Sequence, residues 1–235
     1  MKAKIAEKKE VAEGTLNVKF DLLGEKVSFK PGQHLDVTLI NPPYTDAEGD
    51  QRTFSINNPP SESSYLSITT RIRDSAFKRS LRDLPIGTEV EIDSIRGVFV
   101  LPEKEKRPLV FIAGGIGITP FLSMLRHLAK TGFKQKVTFL YSNHDVKSTP
   151  YLDELEKIEE ENSNFKLILT MTRDQNWKGE SRHIDSSFIK EYFPKGNDNF
   201  YLVAGPPEMV EAVFNSLLEA GVESKNIRTE NFSGY

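Results

Sequence analysis

The stretch Leu109–Leu125, LVFIAGGIGITPFLSML, constrains the fold of this chain more than any other. Its first part, Leu109–Ala113, is an apolar run typical of a strand buried on both faces, as the central strands of parallel sheets are. Glycines follow directly, and apolar residues of helical period begin at Phe121. Glycines let the backbone approach a phosphate closely, and the free N–H groups of a helix's first turn point toward such an anion. The candidate phosphate-binding residues are Gly114, Gly115, Gly117, Thr119 and Pro120. The alternative is an ordinary tight turn between a strand and a helix.

The chain from residue 107 to residue 235 is predicted to be an α/β domain with a parallel sheet. Strands and helices alternate along it, as they do where helices cover both faces of such a sheet. The predicted strands are Leu109–Ala113, Lys136–Ser142, Phe165–Thr172 and Asn199–Ala204, and the predicted helices are Thr119–Thr131, Pro150–Glu161, Ser186–Tyr192 and Pro206–Ala220. Ligands of these sheets bind beyond the carboxyl ends of the strands, where the glycine turn would lie.

Residues 1–103 are predicted to form an antiparallel six-stranded β-barrel. Short segments of alternating apolar residues are separated by turn residues, a pattern typical of small barrels. Seven segments are candidates for the six strands: Thr15–Leu22, Lys26–Phe29, His34–Ile40, Arg52–Asn58, Tyr65–Ile72, Thr88–Ile92 and Gly97–Leu101. One helix is predicted at Ser75–Leu84. The charged, proline-bounded segment Pro102–Pro108 is predicted to be a linker between the two domains.

Composition excludes several classes of function. The formal net charge of -3 lacks the basic excess that a nucleic-acid surface needs. The chain has no cysteine, which excludes disulfides, thiolate metal sites and an iron–sulfur cluster held by these residues. The four histidines show no ligand spacing, so no metal site is predicted. We expect a cytoplasmic protein, since the chain has neither an apolar signal segment nor a run of roughly 18 to 20 apolar residues.

A second motif, Arg52–Ser55, lies on a predicted strand of the barrel. Because side chains alternate along a strand, Arg52 and Phe54 would point to one face and Ser55 to the other. A planar aromatic ligand that bears phosphates could stack on the Phe ring and pair with the Arg. The alternative is a barrel strand with a core Phe and a surface Arg.

Three motifs in this order resemble those of the ferredoxin–NADP⁺ reductase superfamily: R-T-F-S at Arg52–Ser55, G-G-I-G-I-T-P at Gly114–Pro120, and A-G-P-P at Ala204–Pro207. The resemblance covers nearly the whole chain. It implies a barrel that binds FAD, followed by an α/β domain that binds NAD(P)H. It also implies an NAD(P)H-dependent flavoprotein reductase, in which hydride passes from the nicotinamide to the flavin.

In the barrel, the resemblance assigns three roles directly. Arg52 would contact the FAD pyrophosphate, and Phe54 would stack on the isoalloxazine where the family usually has Tyr. Ser55 would lie beside flavin N5 as a catalytic residue. The further FAD contacts that the resemblance implies are Thr53, Thr69, Thr70, Ser75, Ala76 and Phe77. The helix start has an independent reason, because Ser75 or Asp74 can cap it and its free N–H groups favour an anion.

In the second domain, the resemblance assigns the glycine turn to the pyrophosphate of the nicotinamide cofactor. Gly205 and Pro206 would form a second turn at the same crevice, and Ala204 stands where the family usually has Cys. Arg173 matches a position at which NADPH-dependent members grip the 2′-phosphate. Nearby Asp145 and Asp174 would repel a phosphate, so the choice between NADH and NADPH stays open.

The C-terminus, Arg228–Tyr235, is predicted to be a polar tail with two aromatic residues. In the family a C-terminal aromatic covers the flavin face, and a nearby Glu serves in proton traffic. The resemblance therefore makes Phe232 or Tyr235 the candidate cover and Glu230 the candidate acid. The alternative for Phe232 is simple packing onto the barrel.

The expected function is to pass electrons from NAD(P)H through FAD to a separate carrier such as ferredoxin, flavodoxin or an oxygenase component. One alternative is a flavin or ferric reductase that acts on a small oxidant. Another is a non-catalytic, reductase-like protein, against which the retained Arg52, Ser55 and glycine turn weigh.

Overall fold

A computed structural model describes residues 1–232 of the chain, and these divide into two compact units. The first unit comprises Met1–Leu101 together with Thr119–His127, and the second comprises Pro102–Ile118 with the rest of the chain from Leu128. Within residues 1–232, no helix is long and apolar enough to cross a membrane.

The first unit contains a six-stranded antiparallel sheet, as predicted. Its strands are β1 (Lys2–Ala12), β2 (Thr15–Asp21), β3 (His34–Leu39), β4 (Gln51–Ser55), β5 (Tyr65–Arg71) and β6 (Glu89–Arg96), in the order β4-β3-β6-β1-β2-β5. The two ends of this order meet, because the Asn57 N–H, just after β4, donates to the Ser67 carbonyl of β5 at 2.9 Å. The Asn57 amide also donates to Thr69 Oγ1 at 2.6 Å, so buried polar side chains close the barrel. One helix, α1 (Ala76–Asp83), follows β5.

Several predicted strands of the barrel are wrong. β1 is absent from the predicted set, since Lys and Glu occupy most of its positions and only Ala3 and Ile5 enter the core. Lys26–Phe29 forms no strand, although Val27 N–H reaches the Ser63 carbonyl at 3.3 Å. Gly97–Leu101 is not a strand either, because it packs closely on the turn at Gly32, where an added Cβ would lie 2.3 Å from the Phe99 carbonyl oxygen.

The second unit contains a five-stranded parallel sheet with helices, as predicted. Its strands are β7 (Leu109–Gly114), β8 (Val137–Asn143), β9 (Phe165–Met171), β10 (Phe200–Gly205) and β11 (Ile227–Asn231), in the order β11-β10-β7-β8-β9. The helices are α2 (Ile118–Thr131), α3 (Leu152–Glu161), α4 (Ser186–Tyr192) and α5 (Pro207–Glu219). The strand order reverses between β7 and β10, so the turns that follow these two strands lie side by side at the switch point where such sheets bind ligands.

Two segments of the second unit differ from expectation. The predicted tail is wrong for residues 228–231, which continue β11 from Ile227 and pair in parallel with β10. Only Ile227 of β11 is buried, so the segment has no apolar alternation to mark it as a strand. The segment Pro102–Pro108 is ordered by Arg107, which lies 2.8 Å from Glu105 and donates to Asn226 at 2.9 Å. The Arg107 guanidinium lowers the pKa of Glu105 to about 2.

Helix α2 contributes residues to both units. Its Ser123 hydroxyl donates to the Asn58 carbonyl at 2.8 Å, and the Arg126 guanidinium donates to the Asn57 carbonyl at 2.9 Å. Both carbonyls belong to residues that are fully buried just after β4. The first unit therefore includes part of the helix that opens at the glycine turn.

Candidate functional site

In the barrel unit, Arg52 and Phe54 lie on the same side of β4, as strand alternation predicts. Both contact Phe77 in the first turn of α1. The Arg52 guanidinium carbon is 5.5 Å from the Phe77 ring centroid, and the Phe54 and Phe77 centroids are 5.7 Å apart with planes inclined by 35°. The fold thus brings together the strand motif at Arg52 and the helix start at Phe77, which are 25 positions apart in the sequence.

The N-terminus of α1 already holds an anion, the carboxylate of Asp46. The Ala76 N–H donates to Asp46 Oδ2 at 3.1 Å, and Asp46 Oδ1 lies 3.7 Å from Arg52 Nη2. The predicted capping by Ser75 or Asp74 is wrong, because the Ser75 side chain makes no capping bond and Asp74 pairs with Arg79 at 3.5 Å. The helix end and the guanidinium therefore converge on one negative group, as groups that bind a phosphate do.

Lys78 is a candidate site residue that the sequence reasoning missed. It lies on α1 and is only 9% exposed. Burial lowers the pKa of Lys78, and repulsion by Arg73 and Arg52 lowers it further, with Glu48 acting in the opposite direction. The density of basic residues between Arg71 and Arg82 was the signal that could have identified it. A buried ammonium beside two guanidinium groups makes this end of the barrel electropositive.

The hydroxyl of Ser55 is buried and makes no hydrogen bond with any of residues 1–232. The residue itself is 6% exposed. Two other residues that are predicted to contact FAD have hydrogen-bond partners within the protein. Thr53 donates to Asp36 Oδ1 at 2.5 Å, and Thr69 Oγ1 accepts from Asn17 at 3.1 Å. Thr70 is buried on β5. A buried polar atom without a partner is costly, so the Ser55 hydroxyl is suited to a ligand that supplies one.

In the second unit, the glycine turn leaves no room for a side chain at Gly117. β7 ends at Gly114, a 3₁₀ turn spans Gly115–Gly117, and α2 begins at Ile118 with Thr119 and Pro120 buried in its first turn. Gly115 has a φ of 54°, which favours glycine. A Cβ on Gly117 would lie 2.3 Å from the carbonyl oxygen of Ala204 at the end of β10. The two neighbouring turns therefore pack backbone against backbone.

The second turn, Gly205–Pro206, precedes α5 and lies beside the first. Glu230 and Phe232 are close to it in the pairing of β10 with β11, where Ala204 is opposite Glu230. The Phe232 N–H donates to the Gly205 carbonyl at 3.0 Å, and both Glu230 and Phe232 are half-buried. The other candidate aromatic, Tyr235, lies outside the described residues.

The segments that follow β8 and β9, predicted to select the cofactor, run side by side. Thr172 N–H donates to the Asn143 carbonyl, and Arg173 N–H donates to the His144 carbonyl, both at 2.9 Å. Arg173 is exposed. Arg182, a second arginine in the segment that follows β9, is held by Glu180 at 2.5 Å and Glu191 at 2.8 Å, which raises the pKa of its guanidinium. Arg173 is therefore better placed than Arg182 to pair with a ligand.

Asn143 was missed as a site residue by the sequence reasoning. Its side chain is 5% exposed, and neither its amide nitrogen nor its amide oxygen has a hydrogen-bond partner within residues 1–232. Asn143 follows Ser142, the residue of β8 that pairs with Gly114. On the same face of β8, the Tyr141 hydroxyl donates to the Gly115 carbonyl at 2.9 Å. No pattern in the sequence marks this Asn, since the signal is its burial beside the glycine turn.

Comparisons with known proteins show which families and folds this chain resembles. Residues 111–215 match the family model of the oxidoreductase NAD-binding domain. One subunit of the Na⁺-translocating NADH-quinone reductase of Methylococcus capsulatus is 28% identical over 201 residues, which cover 78% of this chain and 49% of that protein. The chain thus spans about half the length of this curated relative.

Solved structures agree along almost the entire chain. The flavohaem-like FAD/NAD-binding domain of nitric oxide dioxygenase from Vibrio cholerae matches with a TM-score of 0.88, at 20% identity and 98% coverage of both chains. Phthalate dioxygenase reductase matches with a TM-score of 0.78 and 25% identity, covering 100% of this chain and 69% of that one. These matches confirm the predicted resemblance to the ferredoxin–NADP⁺ reductase superfamily. The predicted two-part fold is confirmed, and these matches support the predicted binding of FAD and NAD(P)H.

Proposed function

We propose that this chain takes electrons from NAD(P)H onto FAD and passes them to a separate acceptor. The observation that supports it most is the convergence of the α1 N-terminus and Arg52 on one carboxylate, because an NAD-binding fold alone would not need an anion site in the barrel. When bound, FAD would supply the redox chemistry, since a flavin can take up two electrons from a nicotinamide. The protein's contribution is to bind, orient and exclude water.

The barrel residues fit FAD. Arg52 and the first turn of α1, at Ser75–Phe77, would hold its pyrophosphate, with Lys78 adding positive charge. Phe54 offers a half-buried ring face to the isoalloxazine, and the unpartnered Ser55 hydroxyl would supply a hydrogen bond to the ring. Further contacts with FAD would come from Thr53 on β4 and from Thr69 and Thr70 on β5.

The residues at the switch point fit a nicotinamide dinucleotide. The glycine turn and the first turn of α2 would hold its pyrophosphate, as the close backbone packing at Gly117 supports. Gly205 and Pro206 would border the nicotinamide, with Phe232 or Tyr235 as the aromatic cover and Glu230 as the acid. These roles go beyond the fold and are part of the proposal.

The proposed acceptor is an electron carrier such as a ferredoxin, a flavodoxin or an oxygenase component. Phthalate dioxygenase reductase, by its title, carries electrons from pyridine nucleotides to a [2Fe–2S] centre. Since this sequence has no cysteine, the usual ligands of such a centre would come from outside residues 1–235. We also propose a cytoplasmic location.

Reconstitution with FAD followed by stopped-flow reduction tests this function. The protein is expected to take up FAD, and the absorbance of the oxidised flavin is expected to bleach when NADH or NADPH is mixed in. A protein that does not take up added FAD would contradict the proposal. Turnover with ferric chelates but with no ferredoxin or flavodoxin would favour a small-molecule reductase instead.

Arg173 provides a prediction about cofactor choice. Arg173→Ala is expected to lower kcat/KM for NADPH about tenfold and to leave that for NADH within about twofold, because only NADPH has a 2′-phosphate for the guanidinium. Steady-state kinetics with both nucleotides measures this. Arg182→Ala is the matched control, since Arg182 is already paired with two carboxylates. An equal loss with both nucleotides would rule out the role of Arg173.

Asn143 provides a second prediction, because we include it among the residues that hold the nucleotide. Asn143→Leu is expected to leave the free energy of unfolding without nucleotide unchanged or higher, and to weaken NADH binding about tenfold. Urea denaturation and NADH titration measure the two effects. Asn226→Leu is the control, since the buried Asn226 amide is bonded to Arg107 and Asn197 and its loss should destabilise the fold. If Asn143→Leu destabilises the protein without changing NADH affinity, Asn143 is structural.

A further inference from the structure

The segment between β3 and β4, residues 40–50, is fixed at both ends and carries a short turn between them. At one end the Tyr44 N–H donates to Ser80 Oγ at 3.1 Å, and the same hydroxyl donates to the Tyr44 carbonyl at 3.0 Å. At the other end the Asp50 carbonyl accepts from Leu39 N–H at 2.9 Å. Between these anchors, the Gly49 N–H donates to the Asp46 carbonyl at 3.2 Å. The anchors at Tyr44 and Asp50 therefore hold the segment independently of the side chains of the turn.

This turn directs two carboxylates at the groups that we assign to the flavin pyrophosphate. Asp46 accepts from Ala76 N–H and lies 3.7 Å from Arg52 Nη2. Glu48 Oε2 lies 2.7 Å from the same Arg52 nitrogen, and the Glu48 carbonyl accepts from Arg52 Nη1 at 3.0 Å. The donors that would bind two phosphates are thus already engaged by the chain itself.

We propose that Asp46, assisted by Glu48, is an internal counter-ion that occupies the flavin phosphate site and must leave it when FAD binds. This inference rests on the proposed FAD site. The charge repulsion between a carboxylate and a phosphate prevents both from using Ala76 N–H and Arg52 together. The loop carboxylates therefore set the affinity of the chain for flavins that carry phosphate, and they have no such effect on riboflavin, which carries none.

The variant Asp46→Asn tests the competition. Asparagine keeps an acceptor for the Ala76 N–H and removes only the charge, so α1 keeps its start. FAD titrated into the flavin-free protein is expected to bind Asp46→Asn about three- to tenfold more tightly than the wild type, with riboflavin affinity unchanged. Asp50→Asn is the matched control, since it removes a charge from the same loop at a residue that forms no ion pair with Arg52 in the described part of the chain.

Hydrogen exchange gives the second readout. When FAD is added to the wild type, amides of residues 45–49 are expected to exchange faster, because the Glu48 N–H loses its bond to Asp46 Oδ1, which measures 3.0 Å in this structure. Equal or weaker FAD binding by Asp46→Asn, an equal gain with riboflavin or with Asp50→Asn, or greater protection of this loop by FAD would each overturn the inference. A wild type that binds neither flavin would instead contradict the proposed function.

Discussion

Gly117→Ala is expected to destabilise the second unit by about 3 kcal/mol and to abolish measurable NADH binding. The new Cβ would lie 2.3 Å from the Ala204 carbonyl oxygen and 2.8 Å from Gly205 Cα. Both are backbone atoms at the end of β10, so no side chain can move aside to make room. The turn itself would have to shift, and the nucleotide-binding N–H groups would shift with it.

Gly115→Ala is the control for this clash. A Cβ on Gly115 would meet nothing within 4 Å, and only its positive φ of 54° is unfavourable for alanine. This variant is expected to lose about 1 kcal/mol. Urea denaturation and NADH titration of both variants measure the difference. If Gly117→Ala is no less stable than Gly115→Ala, the two turns are not packed as closely as the structure shows.

Ser55→Ala is expected to slow reduction of bound FAD by NADH at least about tenfold while leaving the fold as stable as before or up to about 1 kcal/mol more stable. The two effects have one cause. The Ser55 hydroxyl is buried without a partner in residues 1–232, so its removal loses no internal hydrogen bond. In the holoprotein, the hydroxyl would donate to the flavin and help to orient the ring for the nicotinamide.

Ser67→Ala is the matched control for Ser55. Ser67 is also a buried serine of the barrel, but its hydroxyl donates to the Asn57 side chain. Ser67→Ala is therefore expected to lower the free energy of unfolding and to leave the reduction rate of correctly folded protein unchanged. Stopped-flow absorbance and thermal unfolding of the two variants separate the roles. A Ser55→Ala protein that is destabilised and reduced at the wild-type rate would show that Ser55 is structural.

The sequence predicts the second unit better than the first, and the reason is burial. β7 and β10 are buried along their whole lengths, so their apolar runs identify them without knowledge of any partner. Helix α4, predicted at about Ser186–Tyr192, is found there. β11 is not predicted, because a polar edge strand can be recognised only from its pairing with β10.

In the barrel, the errors come from strands whose sequence pattern and pairing disagree. β1 is rich in Lys and Glu and yet pairs with both β2 and β6. Gly97–Leu101 has an apolar pattern and buries Phe99 and Leu101, and yet it forms no strand and leaves Val98 exposed. Local pattern cannot decide such cases, since the sheet register depends on residues far away in the chain.

The candidate site also contains residues that the sequence pattern identifies and residues that only the folded structure identifies. The motifs at Arg52 and Phe54 and at the glycine turn are local, and the sequence identifies them. Asp46 and Asn143 acquire significance only through contacts or burial created by folding, such as the bond from Ala76 to Asp46. The assigned roles of all these residues in binding stay predictions for the experiments above.

Helix α2 has a consequence for any attempt to exchange parts between reductases. A fragment cut at the segment Pro102–Pro108 would keep every strand of the barrel but lose Ser123 and Arg126, the donors to the buried carbonyls of Asn58 and Asn57. Those two carbonyls follow directly on the strand that carries Arg52 and Ser55. A chimera joined after residue 127 would retain both donors, but it would also carry β7 and the glycine turn of the second unit, so the barrel cannot be exchanged with its own supporting residues alone.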